Sequence, residues 1–95
     1  MDLKTIHLGT MVKRELKAQG RTVVWLARTI NMERSSVYKI FERNTLDVGL
    51  LIRISLVMDH DFFQDVSNKI QENYDEIYEM FLNPSKTVYQ KKKRR

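Results

Sequence analysis

The chain has no cysteine. That removes disulfides, thiolate nucleophiles and cysteine-based zinc sites together, so packing alone must hold the fold. Proline occurs once and glycine three times in 95 residues. So few chain breakers, set among many short amphipathic runs, favour an all-α fold. Long apolar runs are also missing. The most apolar stretch, Leu46 to Met58, is interrupted by Asp47, Arg53 and Ser55. It is too short and too polar to cross a membrane. The opening Met1-Asp2-Leu3-Lys4 lacks the apolar run of a signal peptide. A cytoplasmic location with no membrane partner is the expectation.

Signatures of catalysis are absent as well. There is no glycine-rich phosphate loop, no GxSxG elbow and no HExxH pair. His7 and His60 each stand without a second ligand of metal-binding spacing, so no metal site and no cofactor are expected. Asp59 and Asp61 flank His60 at a helix junction, where capping accounts for them better than catalysis. No set of nucleophile, base and oxyanion donors can be assembled. An enzyme is not expected, and no small-molecule ligand is inferred.

The length suits one small domain. The formal net charge is +5, and its distribution matters more than its size. Residues 1–66 hold 10 Lys and Arg against 8 Asp and Glu, residues 67–90 hold 2 against 4, and residues 91–95 are all Lys or Arg. The excess therefore equals the tail. A local signal is more telling: from Lys13 to Arg43 there are 8 basic and 3 acidic residues. Such a concentration is the electrostatic footprint expected of a surface that meets a polyanion.

Periodicity predicts a first helix from about Ile6 to Ala18, with Leu8, Val12 and Leu16 on one stripe and Gly20 as the stop. Thr22 caps a second helix, about Val23 to Ile30, with Leu26, Ala27 and Ile30 inward. Asn31 follows as a turn residue that tolerates a left-handed backbone. A third helix, from about Glu33 or Arg34 to Glu42, turns Val37, Ile40 and Phe41 inward and leaves Arg34, Ser35, Tyr38, Lys39 and Glu42 outside. Thr45 or Asp47 starts a fourth helix to about Met58, with Leu50, Leu51, Ile54, Val57 and Met58 on a broad apolar face. Phe62 and Phe63 begin a short fifth helix ending near Ser67 and are expected to plug the core. Ile70, Tyr74, Ile77, Tyr78 and Phe81 mark a sixth, acidic amphipathic helix ended by Pro84.

From Trp25-Leu26-Ala27 through Asn31-Met32-Glu33-Arg34-Ser35-Ser36-Val37 and on to Asp61-Phe62-Phe63, the chain resembles the Cro/C1-type (Xre-like) phage-repressor helix-turn-helix family. The likeness spans about Leu8 to Phe63, and within the family it is similar to a small-regulator subgroup of Bacteroidetes-type bacteria. What the resemblance implies is a compact five-helix domain over residues 1–67. Residues 68–84 would add an amphipathic helix, and residues 85–95 a flexible basic tail. It implies double-stranded DNA as partner, with the third helix in the major groove. Arg34, Ser35 and Lys39 match positions that reach base edges, and Arg34 can grip guanine O6 and N7 in a bidentate manner. Thr22, Ser36, Tyr38, Arg43 and Thr45 match positions that touch phosphates. Val23 stands where the family often carries a phosphate-binding Gln, and Phe41-Glu42-Arg43 replaces the usual Glu-x-Gly.

A helix of this size reads few base pairs, so a homodimer on two half-sites is expected, with Ile70, Tyr74, Ile77 and Phe81 as the candidate dimer surface. Two other functions stay open. One is a protein-interaction module, antitoxin-like or part of an assembly, built on the same helices. The other is a nonspecific DNA binder whose affinity comes from Lys91 to Arg95. That tail can serve as a DNA-contacting arm, as a partner for the acidic residues 72–79, or as a solubilising segment.

Overall fold

The computed structural model describes residues 6–82. The tail expected at 85–95 lies outside the described residues. Among the described residues there are six helices and no strand: α1 (Leu8–Ala18), α2 (Val23–Thr29), α3 (Arg34–Phe41), α4 (Val48–Met58), α5 (Phe62–Glu72) and α6 (Tyr74–Phe81). None of them is long and apolar enough to cross a membrane. The chain divides into two compact units. One is His7–Gln64, holding α1 to α4 and the first residues of α5. The other takes Ile6 and the residues from Asp65 onward.

Local chemistry explains where the helices begin. His7 caps α1, its Nδ1 accepting from the Thr10 N–H at 3.1 Å. Thr22 caps α2 by accepting from the Trp25 N–H at 3.0 Å. Asp47 does the same for α4 through Gly49 N–H at 2.8 Å. Asp61 Oδ1 accepts from the N–H groups of Phe63 and Gln64, at 3.0 and 3.1 Å, and so starts α5. Each such bond satisfies a donor that the helix cannot satisfy itself.

Three helices stop by one device. Gly20, Asn31 and Asp59 are the residues with positive φ among those described, at 70°, 59° and 53°. Each follows a helix, and each is flanked by a pair of closing backbone bonds. After α1, Gly20 N–H reaches Lys17 O and Arg21 N–H reaches Leu16 O. After α2, Asn31 N–H reaches Arg28 O and Met32 N–H reaches Ala27 O. After α4, Asp59 N–H reaches Leu56 O and His60 N–H reaches Ser55 O. This double closure is the Schellman motif, which needs a left-handed residue and favours Gly, Asn or Asp there.

The core of the first unit is apolar throughout. Leu8, Val12 and Leu16 of α1 are buried, as are Leu26 and Ala27 of α2 with Ile30 at its end. Val37, Ile40 and Phe41 of α3, Leu51, Ile54 and Met58 of α4, and Phe62 complete it. No polar or charged residue is buried among the described residues. Of the paired phenylalanines only Phe62 fills the core, while Phe63 points outward. Adjacent helix positions lie about 100° apart, so both rings cannot enter one interior.

The second unit departs from the expected boundary at Ser67. Nothing at Ser67-Asn68 stops a helix already started by Asp61, and Val66 and Ile70 keep one face apolar one turn apart. The break comes at Asn73, whose backbone N–H donates to Lys69 O at 2.9 Å and whose side-chain amide donates to the same carbonyl at 3.3 Å. One predicted stripe is thus shared between the end of α5 and α6.

Candidate nucleic-acid interface

The helix of interest, α3, is held from behind by α1. Gly9 makes the close approach. A Cβ built there would sit 2.6 Å from the Phe41 carbonyl carbon, and closer still to the carbonyl oxygens of Ile40 and Phe41. No real Cβ tolerates that, so only glycine fits. The start of α1 also donates across the junction: Leu8 N–H to Asn44 O at 3.0 Å and Gly9 N–H to Arg43 O at 2.9 Å. The open donors of one helix thereby satisfy carbonyls just past the end of another, and their dipoles are complementary. Together these contacts fix the C-terminal end of α3 and the connection that follows it.

The other end of α3 is set by α2. The Asn31 turn delivers the chain to Glu33, which takes the N-cap position with extended backbone (φ −81°, ψ 153°) and no side-chain bond to the first N–H groups of α3. Ile30 O, at the end of α2, accepts a hydrogen bond from the Arg53 guanidinium on α4. A charged donor is thus committed to holding α2.

With Val37, Ile40 and Phe41 inward, helical geometry leaves Ser35, Lys39 and Glu42 facing away from the core, with Arg34 and Tyr38 on one flank. Arg34, Ser35, Tyr38 and Lys39 are exposed, and Ser36 is half-buried. Neither Arg34 nor Lys39 is tied to another side chain among the described residues. The Tyr38 ring stands edge-on to Phe41 with centroids 6.1 Å apart, which fixes the ring while the residue stays exposed. Arg34 and Ser35 share an open notch with Val24, Ala27, Arg28, Met32 and Glu33. The notch therefore carries two guanidinium groups, one from each helix, and one carboxylate.

The remaining predicted contacts lie at the ends of these helices. Thr22 is exposed at the start of α2. Its oxygen accepts the capping bond, which leaves its hydroxyl proton for an external acceptor. Arg43 and Thr45 are exposed in the connection between α3 and α4. The backbone of Arg43 is pinned through its carbonyl, while its side chain is not held. Trp25 is half-buried beneath Arg21, whose guanidinium lies 4.0 Å from the ring centroid. That stack occupies Arg21 and covers one face of the indole.

The place of Arg28 beside Arg34 in the notch brings it into the candidate surface, and the signal in the sequence is Val24 and Arg28 lying one turn apart on α2. The predicted dimer stripe is not uniform: Ile77 is buried, while Ile70, Tyr74 and Phe81 are exposed. Among the described residues no group of His, Asp and Glu is arranged to hold a metal ion. Comparison with profiles of known families, with curated proteins and with solved structures finds no match.

Proposed function

We propose that this chain is a small, sequence-specific DNA-binding regulator of the Cro/C1 kind, with α2, the Asn31 turn and α3 acting as its helix-turn-helix. The observation that carries the reading is the state of α3. Backbone contacts from α1 brace its C-terminal end, yet it presents Arg34, Ser35 and Lys39 exposed and without side-chain partners among the described residues. A rigid helix with unpaired basic and hydroxyl side chains suits base-edge recognition, because little ordering remains to be done on binding. In this reading Arg34 reads guanine, Ser35 and Lys39 contact bases alongside it, and Arg28 adds a phosphate contact. Thr22, Ser36, Tyr38, Arg43 and Thr45 surround them as phosphate partners. Glu33 and Glu42 lie at the edge of the contact, where they act against misplaced phosphates.

One such helix covers a few base pairs. Two copies on half-sites about 34–36 Å apart would supply the remaining specificity. The test is selection from a random double-stranded DNA pool at low and at near-physiological salt. Enrichment of a two-fold symmetric motif supports the reading. Binding without enrichment that vanishes with salt would replace it by nonspecific association. Absence of binding at both salts would favour a protein-interaction module, for which the exposed apolar side chains of α4 supply a surface.

A further inference from the structure

The two ends of α3 are held differently. Its C-terminal end is pinned to α1 by the close approach of Gly9 and by the bonds to Arg43 O and Asn44 O. Its N-terminal end, which carries Arg34 and Ser35, hangs from α2 through the Asn31 turn. The helix has 8 residues and so a length of about 12 Å. A tilt of about 10° around the pinned end carries Arg34 by about 2 Å, more than the whole range of good hydrogen-bond lengths. Whatever fixes the Asn31 turn therefore fixes the side chains at the free end.

The backbone closes that turn only in part. Ile30 N–H donates to Leu26 O, Asn31 N–H to Arg28 O and Met32 N–H to Ala27 O. Among the described residues no backbone donor reaches Ile30 O, the carbonyl just ahead of the left-handed Asn31. The Arg53 guanidinium meets it from α4. The corresponding carbonyl at the end of α4, Met58 O just ahead of the left-handed Asp59, is also met by a side chain, Gln19 Nε2 at 2.9 Å. Gln19 accepts in turn from Arg21 Nε at 3.0 Å, and the Arg21 guanidinium lies against Trp25 near the start of α2. So α2 is tied to α4 near both of its ends, directly through Arg53 and indirectly through Gln19 and Arg21. Two ties prevent the rotation that a single one would allow.

We infer that Arg53 is the positioning residue of the DNA-reading helix. By holding Ile30 O it sets the angle at which α2 passes into α3, and so the place of Arg34 and Ser35. The inference rests on the DNA-binding reading above and adds a residue that acts through the backbone instead of touching a base. The chemistry suits the role. A cation is favoured at the C-terminal carbonyls of a helix, and a hydrogen bond from a charged donor is roughly twice as strong as a neutral one. The planar guanidinium is preorganised, so less freedom is lost per bond than with an ammonium group. Arg53 is exposed and lies outside the apolar core, which is complete without it. Its removal therefore loosens the turn and leaves the fold in place. A direct contact between Arg53 and phosphate has a different signature. Its loss weakens all sequences alike and shrinks the slope of log affinity against log salt by about 0.9.

The experiment compares the full wild-type chain with Arg53→Met, which keeps the stem and removes the donor, and with Arg53→Lys, which keeps one charged donor. Circular dichroism verifies the fold of each. Amide hydrogen exchange, resolved residue by residue by NMR, reads the turn without DNA. In Arg53→Met the Asn31 and Met32 amides are expected to exchange at least about tenfold faster than in wild type. The Gly20 and Arg21 amides, which close α1 by the same motif, are expected to keep their rates, and Arg53→Lys to fall in between. If Arg53→Met does not fold, wild type against Arg53→Lys decides the same comparison. Fluorescence anisotropy on the enriched duplex and on a scrambled one then reads recognition. Arg53→Met is expected to lose at least about tenfold on the enriched duplex and less than about twofold on the scrambled one, with the salt slope kept. Arg53→Lys is expected to recover most of the loss. Unchanged exchange at Asn31 and Met32, equal acceleration at both turns, or faster exchange with discrimination intact overturns the inference. So do equal losses on both duplexes with a smaller slope, which would make Arg53 a phosphate contact. A wild type that binds no duplex removes the DNA reading, and the exchange rates then decide by themselves whether Arg53 holds the turn.

Discussion

Substitution of Gly9 by alanine tests the claim that α3 is braced by close backbone packing. The added methyl meets the carbonyls of Ile40 and Phe41, which are backbone and cannot rotate aside. Overpacking of a tight site costs about 1–3 kcal/mol. Relief requires α1 to move outward, and that stretches the bonds from Leu8 to Asn44 and from Gly9 to Arg43, each worth about 1 kcal/mol. Against this, alanine gains about 1 kcal/mol of helix propensity over glycine. The net expectation is a loss of about 2 kcal/mol, and for a domain of this size a fall in Tm of roughly 10 °C. Urea unfolding followed by circular dichroism measures it. Gly49→Ala is the control, because a Cβ there meets only the movable Asp47 carboxylate at 3.3 Å. That variant is expected to match or slightly exceed wild type. A Gly9→Ala protein as stable as wild type would refute the bracing argument.

Two further outcomes follow from the same packing and charge. Phe62→Ala is expected to cost about 3–5 kcal/mol, as for other fully buried aromatics, while Phe63→Ala costs under about 1 kcal/mol. Comparison of their urea midpoints checks it, and similar losses would contradict the assignment of one ring to the core and the other to the surface. Lys39→Ala is expected to weaken binding to a preferred duplex, as read by fluorescence anisotropy. As a base contact, Lys39 is expected to leave the slope of log affinity against log salt nearly unchanged while discrimination falls. A slope smaller by about 0.9 with discrimination kept would place it on a phosphate and contradict the assignment.

Much of the framework was legible because periodicity and punctuation agreed. In α1 to α3 the apolar positions are few and well spaced, so Leu8, Val12, Leu16, Leu26, Ile30, Val37 and Ile40 could face only one way. Gly20, Asn31, Thr22 and Asp47 announced the helix ends through ordinary capping chemistry. The α4 segment was harder. Val48, Leu50, Leu51, Ile52, Ile54, Leu56, Val57 and Met58 surround most of that helix, so the face read from spacing, Leu50, Leu51, Ile54, Val57 and Met58, is broader than the three positions that packing buries. Packing chose Leu51, Ile54 and Met58, and Val48, Ile52 and Leu56 were left exposed. The extension of α5 to Glu72 was obscured by Ser67 and Asn68, polar residues that suit a loop but do not forbid a helix. The demand for glycine at position 9 is a tertiary fact, since the atoms it avoids lie more than thirty residues away. At the candidate interface, the exposure of Arg34, Ser35 and Lys39 followed from the inward set of α3. The notch that joins Arg28 to Arg34 depends on how α2 meets α3, which no single-helix pattern contains.

The most direct test of base reading by α3 compares Arg34→Ala with wild type on two duplexes. One is the sequence enriched from the random pool, and the other is a scrambled duplex of equal length, both at near-physiological salt. Arg34→Ala is expected to lose about 1–3 kcal/mol on the enriched sequence, roughly a 5- to 150-fold weakening, with little change on the scrambled one. Equal losses on both duplexes, or no loss on either, would contradict the account.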